Sequence, residues 1–89
     1  MGDDVRAVRI TATGDTGIDR GRIRGVSVVT SGAGRLTLTD GAGGPTLLDI
    51  DITGAETYDL SIPGAGILAS NSVVVATATA LTSATIFWT

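Results

Sequence analysis

The sequence contains no cysteine, no histidine and no lysine, and its only aromatic residues are one tryptophan, one tyrosine and one phenylalanine. Without cysteine there is no disulfide framework and no thiolate nucleophile. Without histidine, neither a Ser-His-Asp nor a Cys-His unit can be built from the many serines and threonines. A zinc site would have carboxylate ligands only, so no metal and no cofactor are expected. Without lysine there is no Ser-Lys pair and no Schiff base. An enzyme is therefore not expected. No apolar run approaches ~18 residues, which argues against a membrane span. The first residues, MGDDVRAV, are acidic and lack the apolar core of a signal peptide. Nine acids against six arginines leave a net charge of −3, the wrong sign for nucleic acid as the main partner.

What is present is a short, apolar, glycine-punctuated chain. Its 89 residues are 43% hydrophobic. That is enough for one domain and is no sign of disorder, but it lies near the lower limit of what a single core stabilises. Small scaffolds of this kind need a staple, and with disulfides and metals removed the common remaining one is oligomerisation. A homo-oligomer is expected, a trimer for preference.

The stretch from Arg35 to Ile62 organises the rest. Leu36 and Leu38 share one parity, as do Leu48, Ile50 and Ile52, and again Tyr58, Leu60 and Ile62. Successive strand side chains alternate between faces, so each run has one apolar and one polar face. The simplest arrangement is a three-stranded antiparallel meander on a core, with Tyr58 inside. Upstream, 5–12 reads as a strand with Val8 and Ile10 inward, and 13–21 as a loop whose only large apolar residue is Ile18. The next strand, 22–30, changes parity in the middle: Ile23 is apolar on one face, Val26 and Val28 on the other. Gly25 sits at the change, where a bulge or a close backbone approach is expected. Ser31–Gly34 reads as a hairpin turn. Downstream, Pro63 ends a ladder, 73–80 is a strand with Val74, Ala76, Ala78 and Ala80 on its apolar face, 81–83 is a connection, and 84–89 ends the chain. The sum is all-β: a β-sandwich or jelly-roll-like barrel of about eight short antiparallel strands. Residues 1–89 form one domain, with 1–21 able to serve as an arm.

Three groups of residues are candidates for chemistry. Gly-Ala-Gly occurs at 32–34, 41–43 and 64–66, but no helix follows and no lysine accompanies it, so turns are the expected use. Asp49, Asp51 and Asp59 would share the outward face of two neighbouring strands. A calcium site from them would need loop carbonyls, so a solvated acidic face is expected instead. Arg20, Arg22 and Arg24 share one parity and form an arginine ladder, suited as forks to carboxylates of an acidic partner such as Asp49 and Asp51 of a second copy. At the chain end Ile86, Phe87 and Trp88 are consecutive and large. A strand apolar on both faces needs a second cover, and large aromatics are enriched in interface cores. Phe87 is expected in the core and Trp88 at a subunit interface, joined by Ile67 or Leu68, one of which must point away from the core.

The chain also resembles a group of small bacteriophage virion proteins. The matching features are Gly25-Val26 followed by the Ser31-Gly32 turn, Leu36–Gly41 (LTLTDG), Gly44, Ile62–Leu68 (IPGAGIL) and the closing Ala84–Phe87 (ATIF). They span about residues 20–89. The chain departs in ending Trp88-Thr89, where an aromatic and a glycine are more usual. The resemblance implies a non-enzymatic structural role in the virion, foremost capsid decoration in contact with other virion proteins such as the major capsid protein. A tail or neck component is a further place for it. From another class comes a carbohydrate- or surface-binding adhesion module, which would set exposed aromatics beside the acidic face.

Overall fold

The computed structural model describes residues 5–89. Asp3 and Asp4, expected as a solvated tip, lie outside them. Among the described residues there is no helix, and seven strands form one antiparallel sheet: β1 (Arg6–Ile10), β2 (Gly14–Asp15), β3 (Gly21–Asp40), β4 (Thr46–Ile52), β5 (Thr57–Ser61), β6 (Ile67–Ala69) and β7 (Val73–Trp88). The all-β, sandwich-like expectation holds.

Two strands are far longer than expected. β3 has 20 residues and β7 has 16, and they pair with each other almost end to end. At about 3.3 Å per residue a straight β3 would run to roughly 66 Å, yet the longest dimension of the molecule is 38 Å. The ribbon therefore folds over. The register locates the fold: Thr30 lies opposite Leu81 and the next pair is Arg35 with Thr79, so Ser31–Gly34 stand against Ala80 alone. Ala80 takes a positive φ of 54°, a conformation that a non-glycine residue adopts at a cost. At Gly34 a Cβ would run into the carbonyl oxygen of Thr79 and crowd the Ala80 methyl. Ser31–Gly34 is thus a corner inside one strand rather than a hairpin turn.

Single extra residues sit at Arg24 on β3 and at Ala76 and Thr82 on β7. Each bulge moves the following side chains to the other face. With the corner, they keep one continuous inward row: Val26 faces Ile86, Val28 faces Ala84, Thr30 faces Leu81, Leu36 faces Ala78 and Leu38 faces Val75. The bulge beside Gly25 matches the parity change in the sequence, and a Cβ on Gly25 would lie 2.8 Å from the Leu60 carbonyl oxygen. The uniform face expected for 73–80 is corrected: Val73 and Val75 are buried, because the Ala76 bulge breaks the alternation.

The short strands line the two outer edges of this ribbon. β6, β5 and β4 follow one another along β3, and β1 and β2 along β7. The expected meander is half right. β4 pairs with the second half of β3, whereas β5 pairs with the first half, at Gly25–Val29, and not with β4. A 20-residue strand offers its edge to several short strands in turn, so β4 and β5 need not touch. Folding the ribbon at its corner brings Val26, Val28, Ala84 and Ile86 of one half into one cluster with Leu36, Leu38, Ile50, Ile52, Val73 and Val75 of the other. Ile18 and Ala69 are buried in the same cluster. The Ile18 loop is tied to β7 by backbone bonds between Ile18, Thr16 and Val73. Asp40 ends β3 and accepts hydrogen bonds from the amides of Ser70, Asn71 and Ser72, at 3.0, 2.8 and 3.3 Å, fixing the turn into β7.

The corner gives a direct test. Gly34→Ala is expected to destabilise by about 1–3 kcal/mol through overpacking, roughly 4–8 °C of melting temperature per kcal/mol in a domain of this size. Gly32→Ala, where an added Cβ meets nothing within 4 Å, is expected to leave it unchanged. Thermal melts of the two variants decide, and equal melting temperatures would remove the close packing from the account.

Candidate functional site

The half of the ribbon made by β1, the end of β7, the start of β3, β5 and β6 has an inner and an outer face set by its registers. Val8, Ile86, Val26 and Leu60 form one inward row, and Ile10, Ala84, Val28 and Tyr58 another. The residues between them point out. One outward row is Ala7, Phe87, Gly25 and Ser61, and the next is Arg9, Thr85, Ser27 and Asp59. Beyond the first row Leu68 lies opposite Arg22, and the Arg22 and Thr89 backbones exchange two hydrogen bonds. Val5 shares the parity of Ala7. The three large exposed apolar side chains among the described residues, Val5 (52%), Leu68 (39%) and Phe87 (38%), therefore belong to this one outer face.

The two terminal aromatics exchange their expected places. Alternation does separate Phe87 from Ile86 and Trp88, but Ile86 is fully buried and Phe87 is the exposed member. Trp88 is half-buried, packs against the core and carries the Arg6 guanidinium 5.6 Å from its ring centroid, a cation–π contact. The reason is the register: Trp88 pairs with the buried Ile23 just before the Arg24 bulge, while Phe87 faces Gly25 after it. Ile67 and Leu68 divide as the sequence requires, Ile67 on the core side and Leu68 outward.

The arginine ladder is brought together. Arg20, Gly21, Arg22, Arg24, Ala65, Leu68 and Thr89 line a surface pocket of about 630 Å³. None of the three guanidiniums forms an ion pair among the described residues, and the Arg24 Nε is buried with no hydrogen-bond partner there. The residues are close in sequence, so this grouping was readable. The role of Leu68 and Ala65 as walls was not, because β6 reaches β3 only through the fold.

The aspartates are divided. Asp49 and Asp51 lie on the outer face of the other half, and both meet Arg35. The guanidinium donates to Asp49 from Nε (2.8 Å) and Nη2 (2.5 Å), Thr37 adds a hydroxyl at 3.0 Å, and Asp51 stands 3.7 Å from Nε. Asp59 is in the first half and accepts a 2.6 Å bond from Ser27. The missed partner was Arg35, which the register sets directly opposite Asp51. The Arg35 hydrogen bonds hold the Asp49 carboxyl down at about 2, and the same contact raises the Arg35 pKa still further above its ordinary value. The Asn71 amide, followed by Ser70, likewise lowers the Asp40 pKa. Among the described residues no group of three or more His, Cys, Asp or Glu is placed to hold a metal ion.

A carboxylate whose pKa is lower folded than unfolded stabilises the fold above its unfolded value and loses that contribution as pH falls through the folded one. For Asp49 the window runs from 3.8 down to about 2, and Asp40 acts in the same direction. Melting temperature is expected to fall across this window, and less steeply in Arg35→Gln. Both residues are exposed, so the difference is modest. A profile identical in the variant would detach Asp49 from Arg35. No known protein family, no curated protein and no solved structure matches the chain.

Proposed function

We propose that this chain is a non-enzymatic structural protein of a bacteriophage virion, a capsid decoration protein that assembles with copies of itself, as a trimer for preference, and with the major capsid protein. The observation that carries the reading is the outer face of the first half-sheet. Phe87, Leu68 and Val5 stand exposed there, and Leu68 lies beside Arg20, Arg22 and Arg24. Covering this face would remove from water the parts of Phe87, Leu68 and Val5 that are still exposed, at about 25 cal/mol per Å² of apolar surface. Aromatics and arginine are also the residue types that anchor interfaces. The resemblance of Leu36–Gly41, Ile62–Leu68 and Ala84–Phe87 to small virion proteins supplies the setting. Decoration fits a small, weakly charged domain because repetition on a shell multiplies modest contacts.

One observation favours a second reading, a surface- or carbohydrate-binding module: Phe87 shares its outward face with Asp59. Against it, Trp88 and Tyr58 pack on the core, and Asp49 and Asp51 are engaged by Arg35 on the other half.

Sedimentation at micromolar concentration tests assembly. The wild type is expected to run as an oligomer, and Phe87→Ser to shift toward the 8.9 kDa monomer with its melting temperature little changed. A wild-type monomer would contradict the self-association. Mass spectrometry of purified virions tests the setting: hundreds of copies support decoration, whereas a dozen or fewer place the protein at a neck, tail or vertex.

A further inference from the structure

We infer that the pocket between β3 and β6 is a receptor for an acidic peptide segment, whose carboxylates lie on the guanidiniums of Arg20, Arg22 and Arg24 and whose aliphatic parts rest on Leu68 and Ala65. The inference deepens the docking reading and rests on it, since it names the partner chemistry of that face.

Four observations converge. First, three of the six arginines of an otherwise acidic chain line one pocket. Charge of the minority sign, gathered in one concave place, marks a local complement and not a general field. Second, the three are unpaired among the described residues, although the same chain neutralises Arg35 with two aspartates. Third, the Arg24 Nε is buried without a hydrogen-bond partner there. A desolvated guanidinium donor left unmade is costly, and a turn of the Arg24 side chain toward a carboxylate in the pocket would recover that bond. Fourth, the walls are mixed. Leu68 is 39% exposed beside the arginines, and the volume of about 630 Å³ lies within the ~300–1,000 Å³ of ligand pockets. An inorganic anion would fill a small part of it and leave Leu68 wet, whereas a peptide segment covers both.

A long polyanion fits less well. The net charge of −3 repels an extended phosphate backbone, and three arginines neutralise only a short stretch.

The test is fluorescence anisotropy of a labelled peptide of alternating Asp and Glu, beside its Asn/Gln counterpart, at low salt. The acidic peptide is expected to bind saturably, to weaken with salt and to be competed poorly by inorganic phosphate. The neutral peptide is expected not to bind. Arg22→Ala and Arg24→Ala are each expected to weaken binding roughly tenfold, and Arg35→Ala to leave it intact. Arg22 is exposed, so its variant keeps the test valid should Arg24→Ala unfold. No saturable binding to wild type, equal binding by the arginine variants, or saturation by phosphate without preference for the peptide would each overturn the inference. Sedimentation of the same sample separates the two readings: self-association without peptide binding sinks the pocket alone, while peptide binding by a monomer sustains the pocket and sinks the oligomer.

Discussion

The β3–β7 ladder is the constraint on which the rest depends. Every other strand pairs with one of these two, and the inward row they carry supplies most of the fully buried side chains, among them Ile23, Val26, Val28, Leu36, Leu38, Val75 and Ile86. A flat ribbon of this length would bury neither face. Folded at Ser31–Gly34 and Ala80, it closes on itself and lets one set of apolar residues cover the other. The glycines and bulges are the devices that permit this. Gly34 lets two backbones approach at the corner, Gly25 does the same beneath Leu60, and each added residue shifts the parity of its own strand so that the apolar side chains on either side of it both face inward.

The same devices shape the outer face. The Arg24 bulge and the bare Gly25 leave Phe87 with only Gly25 and Ala7 as cross-strand neighbours, so its ring stays partly in solvent while Trp88, one residue on, is drawn onto the core. β6 lies across the start of β3 and converts a row of arginines into a pocket with an apolar wall. The corner also separates two electrostatic settings. On one half Arg35 is satisfied by Asp49 and Asp51, and on the other Arg20, Arg22 and Arg24 have no acidic partner among the described residues.

Much of this was legible in the residues. The alternation of Leu36 and Leu38, of Ile50 and Ile52, and of Tyr58 and Leu60 names the inward face of each strand correctly. The parity change at Gly25 announces the bulge. Local chemistry does not show how far a strand continues. Ser31–Gly34 has the composition of a turn, and only its pairing with Ala80, 46 or more positions away, decides that the chain bends and goes on. Sequential strands pair roughly two-thirds of the time, yet here β3 and β4 are the one consecutive pair among the described strands, and no property of Thr57–Ser61 reveals that β5 joins β3 instead of β4. Phe87 and Trp88 were placed on opposite faces by alternation alone, but which face was inner depended on a register set by Ile23 and Arg24.

The central claim is that one long folded ribbon holds both halves as a single cooperative unit. Native-state amide hydrogen exchange reads this strand by strand. The account predicts that protected amides of β3 and β7 on both sides of the corner, from Val26 and Ile86 to Leu38 and Val75, exchange with one common free energy, equal to that of global unfolding. A separate and lower opening free energy confined to either half would contradict it.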